Sequence, residues 1–399
     1  MPLPTPFHAR TAPLCESYQW KDWSGFASVC RYETHHLMEY HAIRHSAGIL
    51  DISPLQKYRV RGTDAASFLA WVMTRDVRTL APSRVQYACF CDPDGHVIDD
   101  GTVAHLGPND YRVTAASPTF QWLWRQSRGF DVEIEDETDR VAALAVQGPR
   151  ARDVIYAATD DDALRRLRFF RVAETTLAGC RVQISRTGYT GDLGFEVWLD
   201  AGDAVNVWDA VVAAGSDYSA RPVGLDALDM TRIEAGFVLQ GFEYFSATRC
   251  IERLRSTPYE VGLGWTVDLE RDPFIGQQAL RSRQHQPASL LVGLVSDWEE
   301  LERIYNDVEL PPHLPDAAWR DAVPVYLGRQ QVGQATSGCW SPLLKQNIAL
   351  ASIHPEYAAL GTRLEIEHTV EYRRQRVTAV VSHRPFFDPP RKRGKEKRR

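Results

Sequence analysis

Between residues 289 and 382 the chain breaks into six short β-favouring segments, 289–295, 322–326, 331–336, 348–353, 363–367 and 377–382. Strands this short cannot bury an apolar face alone, so a run of them reads as a small barrel or sandwich. Residues 297–320, rich in acids and prolines, interrupt the run and are expected to lie outside the barrel as an insertion. Upstream, two kinds of periodicity mix. Residues 34–47 lack Pro and Gly and predict a helix, with Thr34 as N-cap and Gly48 as stop; 57–61 predicts a strand and 64–73 an amphipathic helix. Further strands are expected at 86–90, 103–105 and 110–115, and strands alternate with helices again over 142–213. The fold class is therefore α+β rather than a helical bundle.

With 399 residues, 44% apolar and 25% charged, the chain can bury enough core for two or three domains. No apolar run approaches the ~18 residues of a membrane span, and the N-terminus has no basic and apolar signal pattern, so a cytoplasmic protein is expected. The seven cysteines are scattered without paired CxxC spacing, which argues against a zinc site or a disulfide framework. Cys89 and Cys91 would share one face of a strand, but two thiols make a poor metal site. His41 and His45 stand four apart like a zinc pair, yet the intervening Ala-Ile-Arg lacks the glutamate of a hydrolytic motif. No metal is expected. The formal charge of −6 hides an asymmetry, because residues 391–399 carry seven positive charges and one negative. A basic tail on an acidic body excludes a nucleic-acid surface spread over the fold, and 389–399 is expected to be disordered. No P-loop or dinucleotide fingerprint is present.

The segment Ser185-Arg-Thr-Gly-Tyr-Thr-Gly-Asp-Leu-Gly-Phe-Glu196 spaces Gly188, Gly191 and Gly194 three residues apart. Glycines allow a turn with positive φ and let a backbone approach a ligand closely. Glu196 then opens a β-like run in which a strand could hold a carboxylate rigidly. Its two oxygens suit a planar heterocycle with adjacent N–H donors, such as a pterin or guanine edge. A glycine-rich hairpin with a solvated acid is the alternative.

A second acidic stretch, Val97-Ile-Asp-Asp100, places two carboxylates inside an apolar β-like run. Asp is depleted in strands and seldom buried without a partner, so the pair marks function or a bulge. Adjacent strand residues face opposite sides, and a single positioned carboxylate is expected rather than a dyad.

Together with Gly48-Ile-Leu-Asp-Ile-Ser53, Ala145-Val-Gln-Gly-Pro149, the Gly224–Gly236 segment Gly-Leu-Asp-Ala-Leu-Asp-Met-Thr-Arg-Ile-Glu-Ala-Gly, Tyr259-Glu-Val-Gly-Leu-Gly-Trp265 and Ala335-Thr-Ser-Gly-Cys-Trp-Ser-Pro342, these segments resemble the glycine cleavage T-protein, or aminomethyltransferase, family of tetrahydrofolate-dependent enzymes. The resemblance implies a three-domain cloverleaf around a central folate site. Residues 1–285 would form two interleaved α+β domains, the first discontinuous, and 286–388 a β-barrel domain. Matched by motif, Asp100 is the carboxylate beside the reactive nitrogen and Glu196 the acid at the pterin edge. Tyr87 and Tyr189 match tyrosines near the folate, Thr114 falls where an asparagine is common, and Phe169 and Phe170 stand where the family often has an aromatic pair. Trp265 lies in a motif near the same cleft. Arg391 or Arg393 would approach the folate carboxylates.

Departures from the family surround the place of the one-carbon donor. The usual Gly-Ala-Arg-Asp is here Asp226-Ala-Leu-Asp229, so an arginine becomes Leu228; Ser-His-Met-Gly becomes Ser53-Pro-Leu-Gln56, which puts Leu55 beside the donor; and Tyr-Gly-Asn-Asp becomes Gln240-Gly-Phe-Glu243. Losing a fixed cation and gaining apolar surface favours a different donor. The expected activity is transfer of a methyl group from a small N-, O- or S-methyl donor to N5 of tetrahydrofolate, a demethylase. Two alternatives stay open: an aminomethyltransferase acting on a lipoyl carrier protein, and a folate-binding scaffold or regulator without catalysis.

Overall fold

The computed structural model describes residues 1–159 and 161–394. Its organising strand is Val141–Gln147, an apolar run buried along its whole length, and a strand buried on both faces must lie centrally in a covered sheet. It pairs antiparallel with Gly194–Asp200 on one side and Gly48–Asp51 on the other, in a six-stranded sheet that continues through Cys180–Ser185 to Val172–Leu177. Helices Ala151–Thr159 and Ala204–Gly215 cover one face, where Val154, Ile155, Val207 and Trp208 meet Leu144, Val146 and Val197.

After Asp51 the chain leaves this sheet and builds a second one of five strands: Val85–Cys91, Val97–Gly107, Asp110–Ala115, Gln56–Arg61 and Glu133–Asp136. The helix Ala65–Val72 packs its Phe68 and Leu69 there against Tyr58, Val60 and Phe90. The chain then returns at Val141. The strands Leu290–Ser296, Val323–Leu327, Gln330–Ser341, Gln346–Ile353, Arg363–Val370 and Arg373–Ser382 close into a barrel.

The helix Leu225–Glu234 ties these parts together through buried charge. Glu234 receives Arg44 at 2.7 Å, Tyr40 at 2.5 Å and Ser341 of the barrel at 2.5 Å. Arg232 reaches Asp229 at 2.7 Å and Glu243 at 2.8 Å, and Glu243 also accepts from Thr336 and Ser337 of the barrel. Buried ions persist only when paired and hydrogen-bonded, so this network fixes how the barrel sits on the helix.

Two expectations are corrected and one, for 297–320, is extended. The helix expected over 34–47 spans Leu37–His45, and Thr34 does not cap it, because the cap position is His36; the Leu37 N–H donates to His35 Nδ1 at 3.1 Å. The segment 297–320 is bound to the barrel rather than merely outside it. Its helix Trp298–Asn306 packs Leu301, Ile304 and Tyr305 on Val370 and Val377, and Trp319 bridges to Gly338. The basic tail is structured further than expected: Pro390–Arg393 forms a 3-10 turn in which Lys392 is buried, while 395–399 lie outside the described residues. Among the described residues no helix is long and apolar enough to cross a membrane.

Candidate functional site

Strands Val85–Cys91 and Val97–Gly107 pair Phe90 with Asp99 but Cys91 with Val97, so Ile98 is an extra residue and the strand bulges just ahead of the two acids. A bulge re-aims the side chains that follow it. Between the two acids themselves the register is regular, Asp99 opposite Phe90 and Asp100 opposite Cys89, and Tyr244, 1% exposed, places its hydroxyl 3.2 Å from Asp99 Oδ1 and in a hydrogen bond to Asp100 Oδ1. A single positioned carboxylate is the expectation from sequence, and of the two acids Asp100 is the one that is not fully buried. Asp99 is fully buried and also accepts the N–H of Asp100 and of Ser117, each at 2.9 Å. Asp100 is half-buried, and its second oxygen accepts from Tyr87 at 2.5 Å. Burial pushes both carboxyls above the usual range, Asp99 the further; the bonds from Tyr244 and Tyr87 restrain Asp100.

Glu196 projects from the middle of a paired strand, opposite Ser185 on one neighbour and Ala145 on the other. Its Oε2 accepts from Thr187 at 2.5 Å and from Ser185 at 3.4 Å, and Ser185 in turn accepts from the Trp198 indole at 3.1 Å. Burial raises its carboxyl while these hydroxyls oppose the rise. A cleft between the two sheets is lined by Glu196, Ser185 and Trp198 from one and by Thr102, Arg112 and Thr114 from the other. The Thr102 and Thr114 hydroxyls are 2.6 Å apart. Asp100 and Thr102 are alternate residues of one strand, so they share a face of the sheet. Asp100 thus lies on the sheet face that Thr102 presents to the cleft, while Glu196 lines the cleft from the other sheet.

An aromatic wall adjoins Asp100. The Tyr87 ring stacks on Trp265, centroids 5.8 Å apart and 16° from parallel, and Trp265 is 64% exposed, so it is not a core residue. Tyr189 stacks on Phe237 at 5.5 Å and donates its hydroxyl to the Val238 carbonyl. Leu55 and Leu228, both half-buried, pack against the apolar cluster that contains Tyr244, Val238 and Met230, with Tyr87 and Trp23 beside them. The turn that carries Leu55 is fastened by the buried Lys57 ammonium, which donates to the Ser53 and Leu55 carbonyls at 2.5 and 2.9 Å.

This arrangement, a covered sheet with an inserted second sheet and a barrel, has known counterparts. The family description "GCVT N-terminal domain" matches residues 6–271, and "Glycine cleavage T-protein C-terminal barrel domain" matches residues 308–388. The chain belongs to the glycine cleavage T-protein family. An aminomethyltransferase of Caldanaerobacter subterraneus is 34% identical, the match covering 92% of this chain and 91% of that one. A trimethylamine-oxide aldolase of Ruegeria pomeroyi is 35% identical over 96% of this chain, which spans only 47% of that protein. The crystal structure of the glycine cleavage system aminomethyltransferase T from Bartonella henselae superposes with a TM-score of 0.81 over 97% of this chain and 99% of that one, and at 23% identity it shows the shared fold.

Within this T-protein fold, three sequence expectations shift. Of the three loop glycines only Gly191 has positive φ, at 76°. Gly188 and Gly194 instead make room for a side chain, since a Cβ would stand 2.0 and 2.2 Å from Gln147 Oε1. Gln147 uses that space to donate to the Thr187 and Phe195 carbonyls at 3.3 and 3.2 Å, so those glycines frame the loop and do not admit a ligand. Phe169 and Phe170 pack edge to face at 4.8 Å outside the lining of the cleft; Phe170 joins it only through its backbone, whose carbonyl accepts from Val85 at 3.0 Å. Arg391 makes a bidentate pair with the buried Asp192, 2.7 Å at each contact, which anchors the C-terminal turn to the glycine loop.

His41 and His45 stack at 5.5 Å. Among the described residues the one group with three converging metal-ligand atoms is Asp92, Asp94 and His96, and there Arg283 already occupies His96 Nε2 at 2.6 Å. Sequence reasoning singled out the Asp99–Asp100 pair but missed Tyr244, Thr102 and Thr187 as candidate site residues. Thr187 sat inside the glycine segment, whereas nothing local marks Tyr244, which meets Asp100 across 144 residues of chain.

Proposed function

We propose that this chain transfers a methyl group from a small N-, O- or S-methyl donor to N5 of tetrahydrofolate. The observation that carries the reading is the setting of Asp100. Both its oxygens are held by phenol hydroxyls, on the same strand face as the cleft that contains Glu196 and beside the apolar cluster that contains Leu228 and Leu55. Each carboxylate oxygen has two lone pairs, so a phenol on each leaves Asp100 able to accept a proton from an attacking amine.

The residues present fit the folate. Glu196 keeps lone pairs for the adjacent N–H groups of a pterin, the Thr102–Thr114 pair offers hydroxyls on the opposite wall, and the Tyr87–Trp265 stack supplies a ring surface. Tetrahydrofolate would supply a secondary amine as the one-carbon acceptor. Asp100 would stabilise the positive charge that develops there and take the departing proton, a role typically worth ~10²–10⁴-fold. Leu228 and Leu55 present apolar surface to the donor, which suits a methyl carried on a small organic molecule.

Family membership supports a second reading, an aminomethyltransferase acting on a lipoyl carrier, because relatives at 34–37% identity over most of this chain bear that name. Mass spectrometry of single turnovers separates the two. Methyl-tetrahydrofolate formed from a small methylated donor supports the first reading. Methylene-tetrahydrofolate with ammonia, formed only with an aminomethyl-lipoyl carrier, replaces it by the second.

A further inference from the structure

The Tyr244 hydroxyl has one hydrogen and two carboxylate neighbours, Asp99 Oδ1 at 3.2 Å and Asp100 Oδ1 closer still. One hydrogen serves one of those contacts. The other is a hydrogen bond only if a carboxyl brings a proton of its own. Among the described residues the donors to the two carboxylates are the phenols of Tyr87 and Tyr244 and the N–H groups of Asp100 and Ser117, none of them a cation. Adjacent carboxylates, one fully buried and one half-buried, that share a hydroxyl and receive no cationic donor do not both ionise readily.

We propose that Tyr244 joins Asp99 and Asp100 into a pair that holds one proton, and that Tyr244 is thereby a positioning residue for proton transfer at Asp100. The titratable groups facing the pair are Tyr87 and Cys89 from the neighbouring strand and Tyr189 from the glycine loop, with Arg232 beyond Tyr189. None of these is an acid or base that would exchange with it near neutrality, because burial drives the Tyr87, Tyr189, Tyr244 and Cys89 groups upward and holds them protonated. The ring of Tyr244 is fixed in the apolar cluster, so its hydroxyl cannot follow one acid away from the other.

This inference rests on the methyl-transfer reading and says how the site manages charge. When the new carbon–N5 bond forms and the donor's carbon–X bond breaks, X leaves with the bonding electron pair and the N5 proton passes to Asp100. Nothing is oxidised or reduced. The pair already carries one proton between Asp99 and Tyr244, so it goes from one negative charge to none, and it regains that charge when the proton leaves to X or to solvent. A lone carboxylate held between the same phenols would have no partner on which to park the first proton.

The test is an isotope-labelled aspartate NMR titration of the ligand-free protein, with Asp99→Asn and Asp100→Asn to assign the signals, beside the pH profile of methyl transfer. In the wild type the two signals are expected to titrate in separated steps, more than about one pH unit apart, as an interacting pair does. Tyr244→Phe removes a donor to ionised Asp100 and should move its step upward by about one pH unit, with the acid limb of kcat/KM moving alongside. Two wild-type signals that titrate together in the ordinary carboxylate range overturn the pair, and that measurement needs no variant to fold. A Tyr244→Phe titration that shifts while the rate profile stays still overturns the positioning role. Loss of the methyl-transfer reading itself is seen separately, as a wild-type enzyme that forms no methyl-tetrahydrofolate from any small methylated donor while its two aspartate signals still titrate in separated steps.

Discussion

Arg320 Nε stands 2.6 Å from Asp229 Oδ2, joining the segment that leads into the barrel to the helix Leu225–Glu234. Asp229 is shared: its other oxygen takes Arg232 at 2.7 Å, and the side chain is 5% exposed while that of Arg320 is 22% exposed. The two partners should therefore differ in cost. Asp229→Ala leaves Arg232 buried with half its pairing and is expected to lose about 3–5 kcal/mol, whereas Arg320→Ala leaves Asp229 paired and should lose about 1 kcal/mol. Urea unfolding of both variants checks this; equal losses would mean that the partly exposed contact governs the joint.

Two buried groups near the site give opposite slopes of stability against pH. Burial pushes Glu39 up to about 7 from its ordinary 4.5, so the folded state holds a proton that the unfolded chain has released, and stability falls as pH rises through that window. Burial pushes Lys57 down to about 7 from 10.5; the folded state releases its proton first, and stability rises as pH climbs from there. A shallow minimum near neutrality is expected from the pair. Thermal unfolding across pH should lose its acid limb in Glu39→Gln and its alkaline limb in Lys57→Met.

Replacing the carboxylate proposed to face the acceptor should separate chemistry from folding. Asp100→Asn removes the proton acceptor, so single-turnover methyl transfer should fall ~10²–10⁴-fold. Stability should change little, because the amide still accepts from a phenol. Near-normal turnover in a folded Asp100→Asn enzyme would make Asp100 a structural acid.

Glu196→Gln keeps shape but turns one acceptor into a donor that opposes an N–H edge. Folate affinity, followed by calorimetry with a stable reduced folate, should weaken by about 1–3 kcal/mol. Unchanged affinity with lost binding in a Tyr87→Ala variant would place the heterocycle against the aromatic wall and away from Glu196.

Gly188→Ala is expected to cost about 1–3 kcal/mol, since its Cβ would stand 2.0 Å from Gln147 Oε1 and must displace that amide. Adding Gln147→Ala should recover part of the loss, because it empties the space the methyl needs. A double-mutant cycle without coupling would contradict the framing role given to this glycine.

Much of the frame was legible in the residues. The barrel announced itself because its strands are short and bounded by turns, and Asp100 because a charge inside an apolar strand is costly enough to need a reason. What escaped has one physical origin: contacts set by the folded topology leave no local trace. Tyr244 lies far from Asp99 and Asp100 in sequence, and the bulge at Ile98 ahead of both acids depends on how the neighbouring strand pairs. Glycine spacing misled for the same reason. It records that a side chain is missing, but not whether a ligand or Gln147 fills the room.

The bidentate contact between Arg391 and Asp192 also makes the end of the described chain a clasp on the loop that presents Tyr189. Trimming the chain ahead of Arg391 would remove the guanidinium that pairs the buried Asp192 of that loop, so a cut at one extremity would loosen the segment that carries Tyr189.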